Sequence, residues 1–214
     1  PIVIQGTLTG GETTLEAANS QYLTSLLLNA PLADGDTTIH VPMLHERPYV
    51  EMTLDWLARQ GITVEHDNYA EFKISGGQRY LSVNRRVPAD FSSATFFLCA
   101  GALPGNDVAC TGLDMTDTQG DRAVVEYLRQ MGANVHAANN VIRVTGGDLV
   151  GCELDLNATP DALPMMAVLA CFARGTTRLV NVPQARIKET DRIAVMNAEL
   201  TKMGARIEEL PDGL

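Results

Sequence analysis

Three stretches of this chain repeat one another about seventy residues apart. Gly35, Gly105 and Gly175 each sit between an apolar, helix-like run and a short β-like run, 70 residues from the next. Met131-Gly132-Ala133 recurs as Met203-Gly204-Ala205, 72 residues on, and Gln60-Gly61-Ile62 holds the same place 71 residues earlier. A repeat this long marks a copied supersecondary unit, so the fold is to be read unit by unit.

Periodicity and turn residues then give the units their content. In the first, Ile2–Gln5 and Thr37–Val41 read as strands and Gln21–Leu28 as a buried helix. Pro48 opens a second helix reaching Arg59, with Met52, Trp56 and Leu57 on one face. Thr63–His66 and Glu71–Ile74 form a hairpin around Asp67-Asn68. In the second, Phe91–Leu103 and Arg122–Met131 are helices, Asp107–Thr111 a strand, and Asn134–His136 with Val141–Val144 the hairpin. The third has helices over Ala162–Ala173 and Glu189–Met203 and strands over Thr177–Val180 and Arg206–Glu209. The class is α/β (α+β), built from β-α-β-α-β-β units with one very apolar helix and one amphipathic helix in each. The segment 78–90 carries three arginines and a proline and ends on the N-cap residue Asp90, which makes it the boundary between units. The chain opens on Pro-Ile-Val-Ile and stops at Asp-Gly-Leu just after a turn signal, so both ends read as cut.

Composition narrows the function. The net charge is −10 and no basic stripe with interleaved aromatics is present, which argues against a nucleic-acid binder. Apolar runs such as Tyr22–Leu28 and Leu163–Phe172 are too short for a membrane span. Cys99, Cys110, Cys152 and Cys171 lack C-x-x-C spacing; Cys99 and Cys171 read as reduced core thiols, and the setting as cytoplasmic. His40, His45, His66 and His136 have no metal-ligand spacing, so no metal site is expected.

The chemistry concentrates in Arg186-Ile187-Lys188-Glu189-Thr190-Asp191-Arg192. Read as a helix start, it puts Lys188 and Arg192 on one face, where two cations and the free amides favour an anion. A carboxylate beside them, Glu189, can serve as a general acid. The alternative is a solvated helix start with ordinary ion pairs. Asn19-Ser20-Gln21 opens an apolar helix and offers neutral donors for anionic oxygens, or simply caps it. Asn157-Ala158-Thr159-Pro160-Asp161 opens the matching helix of the third unit; the spot that holds Gln21 carries Phe91 and Asp161 in the other units, so the repeat differentiates its sites there, or Asp161 is simply an acid favoured by the helix dipole.

Taken with Arg47-Pro48-Tyr49-Val50-Glu51-Met52-Thr53, Asp90 before Ser92-Ser93-Ala94, Gln119-Gly120-Asp121 and Pro160-Asp161-Ala162, these motifs resemble the 5-enolpyruvylshikimate-3-phosphate synthases (3-phosphoshikimate 1-carboxyvinyltransferases) in order and spacing. The resemblance covers the whole chain and about the central half of the family's length. It implies two similar domains forming an inside-out α/β barrel pair, incomplete here, with the active site in the cleft between them. Residues 1–87 would end the first domain and 88–214 begin the second. It implies transfer of the enolpyruvyl group of phosphoenolpyruvate to the 5-hydroxyl of shikimate 3-phosphate, with phosphate released, no metal or organic cofactor, and a monomeric full-length enzyme. By the same resemblance Asn19, Ser20, Gln21, Glu46, Asp161, Gln184 and Lys188 contact shikimate 3-phosphate, while Gln21 and Arg192 contact phosphoenolpyruvate. Asp161 takes the hydroxyl proton and Glu189 protonates the methylene carbon.

Three positions depart from the family pattern. Asn19 and Glu46 stand where serines are usual, and Gln184 where asparagine is. A carboxylate at position 46 repels phosphate. The family's terminal cationic residues lie outside this chain, so the chain alone is expected to be inactive. Two rivals remain: an enzyme like the UDP-N-acetylglucosamine enolpyruvyl transferases, which lack a Lys-Glu-Thr-Asp-Arg run of this kind, and a non-catalytic repeat scaffold.

Overall fold

A computed structural model describes residues 2–214. The chain divides into two compact units, one ending at Arg86 and the other comprising Val87–Leu214. The division falls inside the segment 78–90, which carries no helix or strand.

The first unit is one full copy of the repeat. It runs β1 (Gly11–Ala17), α1 (Ser20–Asn29), β2 (Thr37–Leu44), α2 (Arg47–Arg59), β3 (Glu65–Asp67) and β4 (Glu71–Ile74). The strands form one sheet in the order β1-β2-β4-β3, with β1 parallel to β2 and both other pairs antiparallel. Asn68 and Tyr69 turn the β3–β4 hairpin in the left-handed region, as tight hairpins require. Leu23 and Leu27 of α1 pack with Val50 and Leu57 of α2 against Ile39, Phe72 and Ile74 of the sheet. The buried face of α2 is Val50, Thr53 and Leu57, while Met52 and Trp56 lie half-buried at its margins.

The strand expected at Ile2–Gln5 is absent, and Ile2, Val3 and Ile4 are exposed. β-Branched residues favour a strand only where a partner and a packed face exist. The first strand lies instead at Gly11–Ala17, whose residues are mostly exposed and so give no clear alternation.

The second unit holds α3 (Phe91–Ala102), β5 (Asp107–Thr111), α4 (Val124–Gln130), β6 (Asn134–Ala138), β7 (Val141–Thr145), β8 (Glu153–Asp155), α5 (Leu163–Ala170), β9 (Arg178–Val180) and α6 (Arg192–Lys202). Short 3-10 turns at Gly120–Ala123, Pro160–Ala162 and Pro183–Ile187 lead toward α4, α5 and α6. Antiparallel β5-β7-β6 reproduces the β2-β4-β3 arrangement, and parallel β8-β9 reproduces β1-β2. Among the described residues no sheet closes into a barrel. The strand expected at Arg206–Glu209 is replaced by a single bridge between Leu210 and Gly213. Leu214 exchanges both backbone hydrogen bonds with Leu179 on β9, at 2.8 and 2.9 Å.

The apolar helices are not buried all round. α3 buries Phe91, Leu98 and Cys99 but leaves Phe96 and Phe97 exposed. Cys171, expected in a core, is exposed just beyond α5. Among the described residues no helix is long and apolar enough to cross a membrane.

The repeated glycines have one physical cause. Gly61, Gly132 and Gly204 follow the amphipathic helix of each copy with φ of 77°, 93° and 97°. Each closes its helix with the same pair of bonds: Gly61 to Ala58 O and Ile62 to Leu57 O, Gly132 to Arg129 O and Ala133 to Leu128 O, Gly204 to Thr201 O and Ala205 to Leu200 O. This is the Schellman closure, which needs a left-handed residue after the cap. A Cβ on Gly132 would lie 2.8 Å from Asp148 O, whereas one on Gly204 meets nothing within 4 Å. Gly204→Ala is therefore expected to cost about 1–2 kcal/mol from backbone strain alone, and Gly132→Ala clearly more. Urea unfolding of both variants checks this; equal losses would contradict it.

Candidate active site

The sequence-selected residues form two clusters, one on each unit. On the first unit Asn19 caps α1, its side chain accepting from the Gln21 N–H at 2.9 Å. This ties down a donor that a helix start otherwise leaves unmet. Ser20 follows, 2% exposed, and Gln21 points outward from the first turn. Glu46 is 1% exposed and precedes α2 in a left-handed conformation with φ 57°. Its Oε2 accepts from both the backbone N–H of Ser20, at 3.1 Å, and the Ser20 hydroxyl, at 2.6 Å. The carboxylate expected merely to face a phosphate is thus bound to the serine expected to hold that phosphate.

On the second unit Arg192 is the hub. Its Nε and Nη2 form a two-pronged pair with Glu189, both at 2.8 Å, and its Nη1 donates to Asp161 Oδ1 at 2.6 Å. The arginine side chain is 17% exposed, Asp161 33% and Glu189 65%. A planar guanidinium suits this double fork, and charge assistance strengthens each bond. Arg192 is pushed above its ordinary value, chiefly by its bonds to Glu189 and despite burial. Glu189 is pulled down to about 2, first by Arg192, then by a backbone N–H, with Lys188 adding to the field. A lowered carboxylate contributes stability above its ordinary value near 4.5 and loses it as the pH falls toward about 2. Glu189 therefore keeps its negative charge to lower pH than an ordinary glutamate while Arg192 holds it.

The structure corrects the expected helix start. Lys188 lies before α6 with extended backbone, and Asp191 is the N-cap, its side chain accepting from the Ala194 N–H at 3.0 Å. Lys188 and Arg192 therefore do not share a helix face. The signal was present, since Asp is a strong N-cap residue and Arg192 followed by four apolar residues comes after it. Gln184 is buried beside the segment that leads to Asp161; its Nε2 donates to Asn157 O at 2.9 Å, and its Oε1 has no hydrogen-bond partner among the described residues.

Arg186 is a residue to which sequence reasoning gave no role. It bonds Asp191, Glu209, Leu210 O and Pro211 O, so it fixes the loop after α6 to the N-cap of that helix. Its place two residues before Lys188 in a charged run hid that structural use.

Comparison with known proteins gives a consistent result. The family model described as EPSP synthase (3-phosphoshikimate 1-carboxyvinyltransferase) matches residues 1–214. A 3-phosphoshikimate 1-carboxyvinyltransferase of Ruminiclostridium cellulolyticum is 55% identical over 214 residues, covering 100% of this chain and 51% of that protein. One of Acetivibrio thermocellus is 54% identical with the same coverage. A solved EPSP synthase from Acinetobacter baumannii superposes with a TM-score of 0.74 at 29% identity, over 97% of this chain and 48% of that one. The chain spans about half the length of the curated relatives it matches. With the repeat, the two clusters and these matches together, the chain belongs to the EPSP synthase family.

Proposed function

We propose that this chain forms about half of an enzyme that transfers the enolpyruvyl group of phosphoenolpyruvate to the 5-hydroxyl of shikimate 3-phosphate, releasing phosphate. Residues through Arg86 then belong to the end of a first domain and those from Val87 to the start of a second. The observation that carries the reading is Arg192 held between Asp161 and Glu189. The cluster offers a cation for an anionic enol ester and two carboxylates in reach of it to serve as base and acid.

In this reading Asn19, Ser20, Gln21, Gln184 and Lys188 hold shikimate 3-phosphate, and Gln21 and Arg192 hold phosphoenolpyruvate. The 5-hydroxyl attacks C2 of phosphoenolpyruvate and gives its proton to Asp161. Glu189 delivers a proton to C3, making a methyl group. Loss of phosphate and of one methyl proton restores the double bond, so atoms and charge balance.

Glu189 cannot act as an acid while Arg192 keeps it ionised, because a general acid must carry its proton near the working pH. The anionic substrate supplies the remedy. By drawing the guanidinium onto its own carboxylate or phosphate, it removes the partner that lowers Glu189, and burial of the carboxyl under the bound substrate then raises it far enough to take up a proton. The ion pair seen here is thus the resting form of the acid. The enzyme works in the cytoplasm in this reading and as a monomer.

The test is phosphate release by the full-length enzyme with both substrates, against each alone and against this 214-residue chain. Release is expected only from the full-length enzyme and only with both substrates. Release that ignores shikimate 3-phosphate but depends on UDP-N-acetylglucosamine would instead select the rival transferase.

A further inference from the structure

We propose that Tyr127, on α4, is a positioning residue for the reaction: its hydroxyl holds the turn that carries Asp161 in place while Arg192 is drawn away from that turn by a substrate anion. The proposal rests on the reading above, in which Asp161 is the base for the 5-hydroxyl and Arg192 moves onto phosphoenolpyruvate.

Asp161 lies in the short 3-10 turn Pro160–Ala162 that leads into α5. Such a turn has little bonding of its own; the Ala162 N–H closes it on Thr159 O at 3.0 Å. Thr159 is its N-cap and is 0% exposed. A threonine there commonly turns its hydroxyl onto a free amide of the first turn. Asn19 and Asp90, which cap α1 and α3, use their side chains in that way. Thr159 makes no such bond. Its hydroxyl lies 3.2 Å from the Tyr127 phenol oxygen instead. The phenol gives its one proton to Asp155 O at 2.9 Å, so Thr159 is the donor of the other pair. Tyr127 thus ties both ends of the stretch between β8 and the Asp161 turn to α4. Burial holds the phenol above its ordinary value, with the charges of Asp155 and Asp121 adding and Thr159 opposing, so it keeps that proton at neutral pH.

The repeat does not itself call for a phenol here. Five residues before Gly61, Gly132 and Gly204 stand Trp56, Tyr127 and Glu199. Trp56 meets the Arg59 guanidinium and Glu199 pairs with Lys202, each within its own helix. Tyr127 reaches across to the copy that carries Asp161.

Two other ties on this stretch are ones that substrate recruits. Arg192 donates to Asp161 Oδ1 at 2.6 Å and to Pro160 O at 3.4 Å. Gln184 donates to Asn157 O, and in the reading above it also meets shikimate 3-phosphate. The bonds through Tyr127 are left untouched by both substrates. Without the phenol oxygen, the Thr159 hydroxyl is buried and unmatched, and it turns onto the amides of the Pro160–Ala162 turn. That re-aims Asp161, and a displacement of about 1 Å at a reacting group costs as much as about 10²-fold in rate.

The experiment measures kcat and both KM values in the full-length enzyme carrying Tyr127→Phe, Thr159→Val, Asp161→Asn, or Tyr127→Phe with Asp161→Asn. Tyr127→Phe should lower kcat about tenfold and change either KM by less than about threefold. Thr159→Val removes the other half of the contact and should do the same; it carries the test should the phenylalanine variant melt far below the parent. In the Asp161→Asn background no base is left to aim, so Tyr127→Phe should cost less than about twofold. Full kcat in Tyr127→Phe, or the same loss with and without Asp161, would overturn the proposal, the latter by showing a merely structural role. Full kcat in Asp161→Asn alone would instead remove the functional reading of Asp161, and this inference with it.

Discussion

Replacing Arg192 with alanine in the full-length enzyme lowers kcat/KM for phosphoenolpyruvate by about 10²- to 10³-fold, the usual result of deleting one member of a desolvated, hydrogen-bonded charge group. Two losses add. The substrate anion loses its guanidinium, and Asp161 and Glu189 are left as neighbouring carboxylates with no cation between them. Arg192→Lys restores the charge but not the fork that meets Glu189 through two nitrogens and Asp161 through one. It should recover only part of the loss, and KM for phosphoenolpyruvate should rise more than KM for shikimate 3-phosphate. Full activity in the lysine variant would show that Arg192 acts as a diffuse charge, and the account of Glu189 release would then fail.

The second large effect is at Asp161. Asp161→Asn retains an oxygen able to accept from Arg192 Nη1, so the local structure should persist. It removes the proposed base for the 5-hydroxyl, and kcat should fall by about 10²- to 10⁴-fold, the range general bases contribute. KM for phosphoenolpyruvate should change little. A variant that keeps kcat and loses substrate affinity would make Asp161 a binding residue and move the base elsewhere.

Much of this was legible in the chain because the repeat is written in residues with strong local demands. The left-handed glycines after α2, α4 and α6 show as a spacing before any fold is known, and the structure gives them identical closures. The β4 and β5 boundaries were read directly from apolar alternation between turn residues. Asp90 was read as an N-cap, and it accepts from Ser92 and Ser93.

What was not legible depended on partners distant in sequence. β1 exposes most of its residues, so no alternation marks it, and Ile2–Gln5 has strand composition without a strand to pair with. The charged run places the start of α6 at Glu189, three residues early, because it hides Asp191 as the cap. The Arg192–Asp161 bond joins residues 31 apart, and the Glu46–Ser20 bond joins residues 26 apart. Motif resemblance pointed to all four residues but to neither bond. It also suggested that Glu46 faces a ligand, when its nearest shown partner is the serine of the same cluster.

The central claim is that a carboxylate released from Arg192 protonates the methylene carbon before phosphate leaves. The direct test is to run the full-length enzyme in deuterium oxide and examine the enolpyruvyl product by proton NMR and mass spectrometry. The account predicts deuterium in the product methylene, because a solvent-derived proton is added to C3 and one of three methyl hydrogens is then lost. A product formed at the normal rate with only protium at that carbon would contradict it.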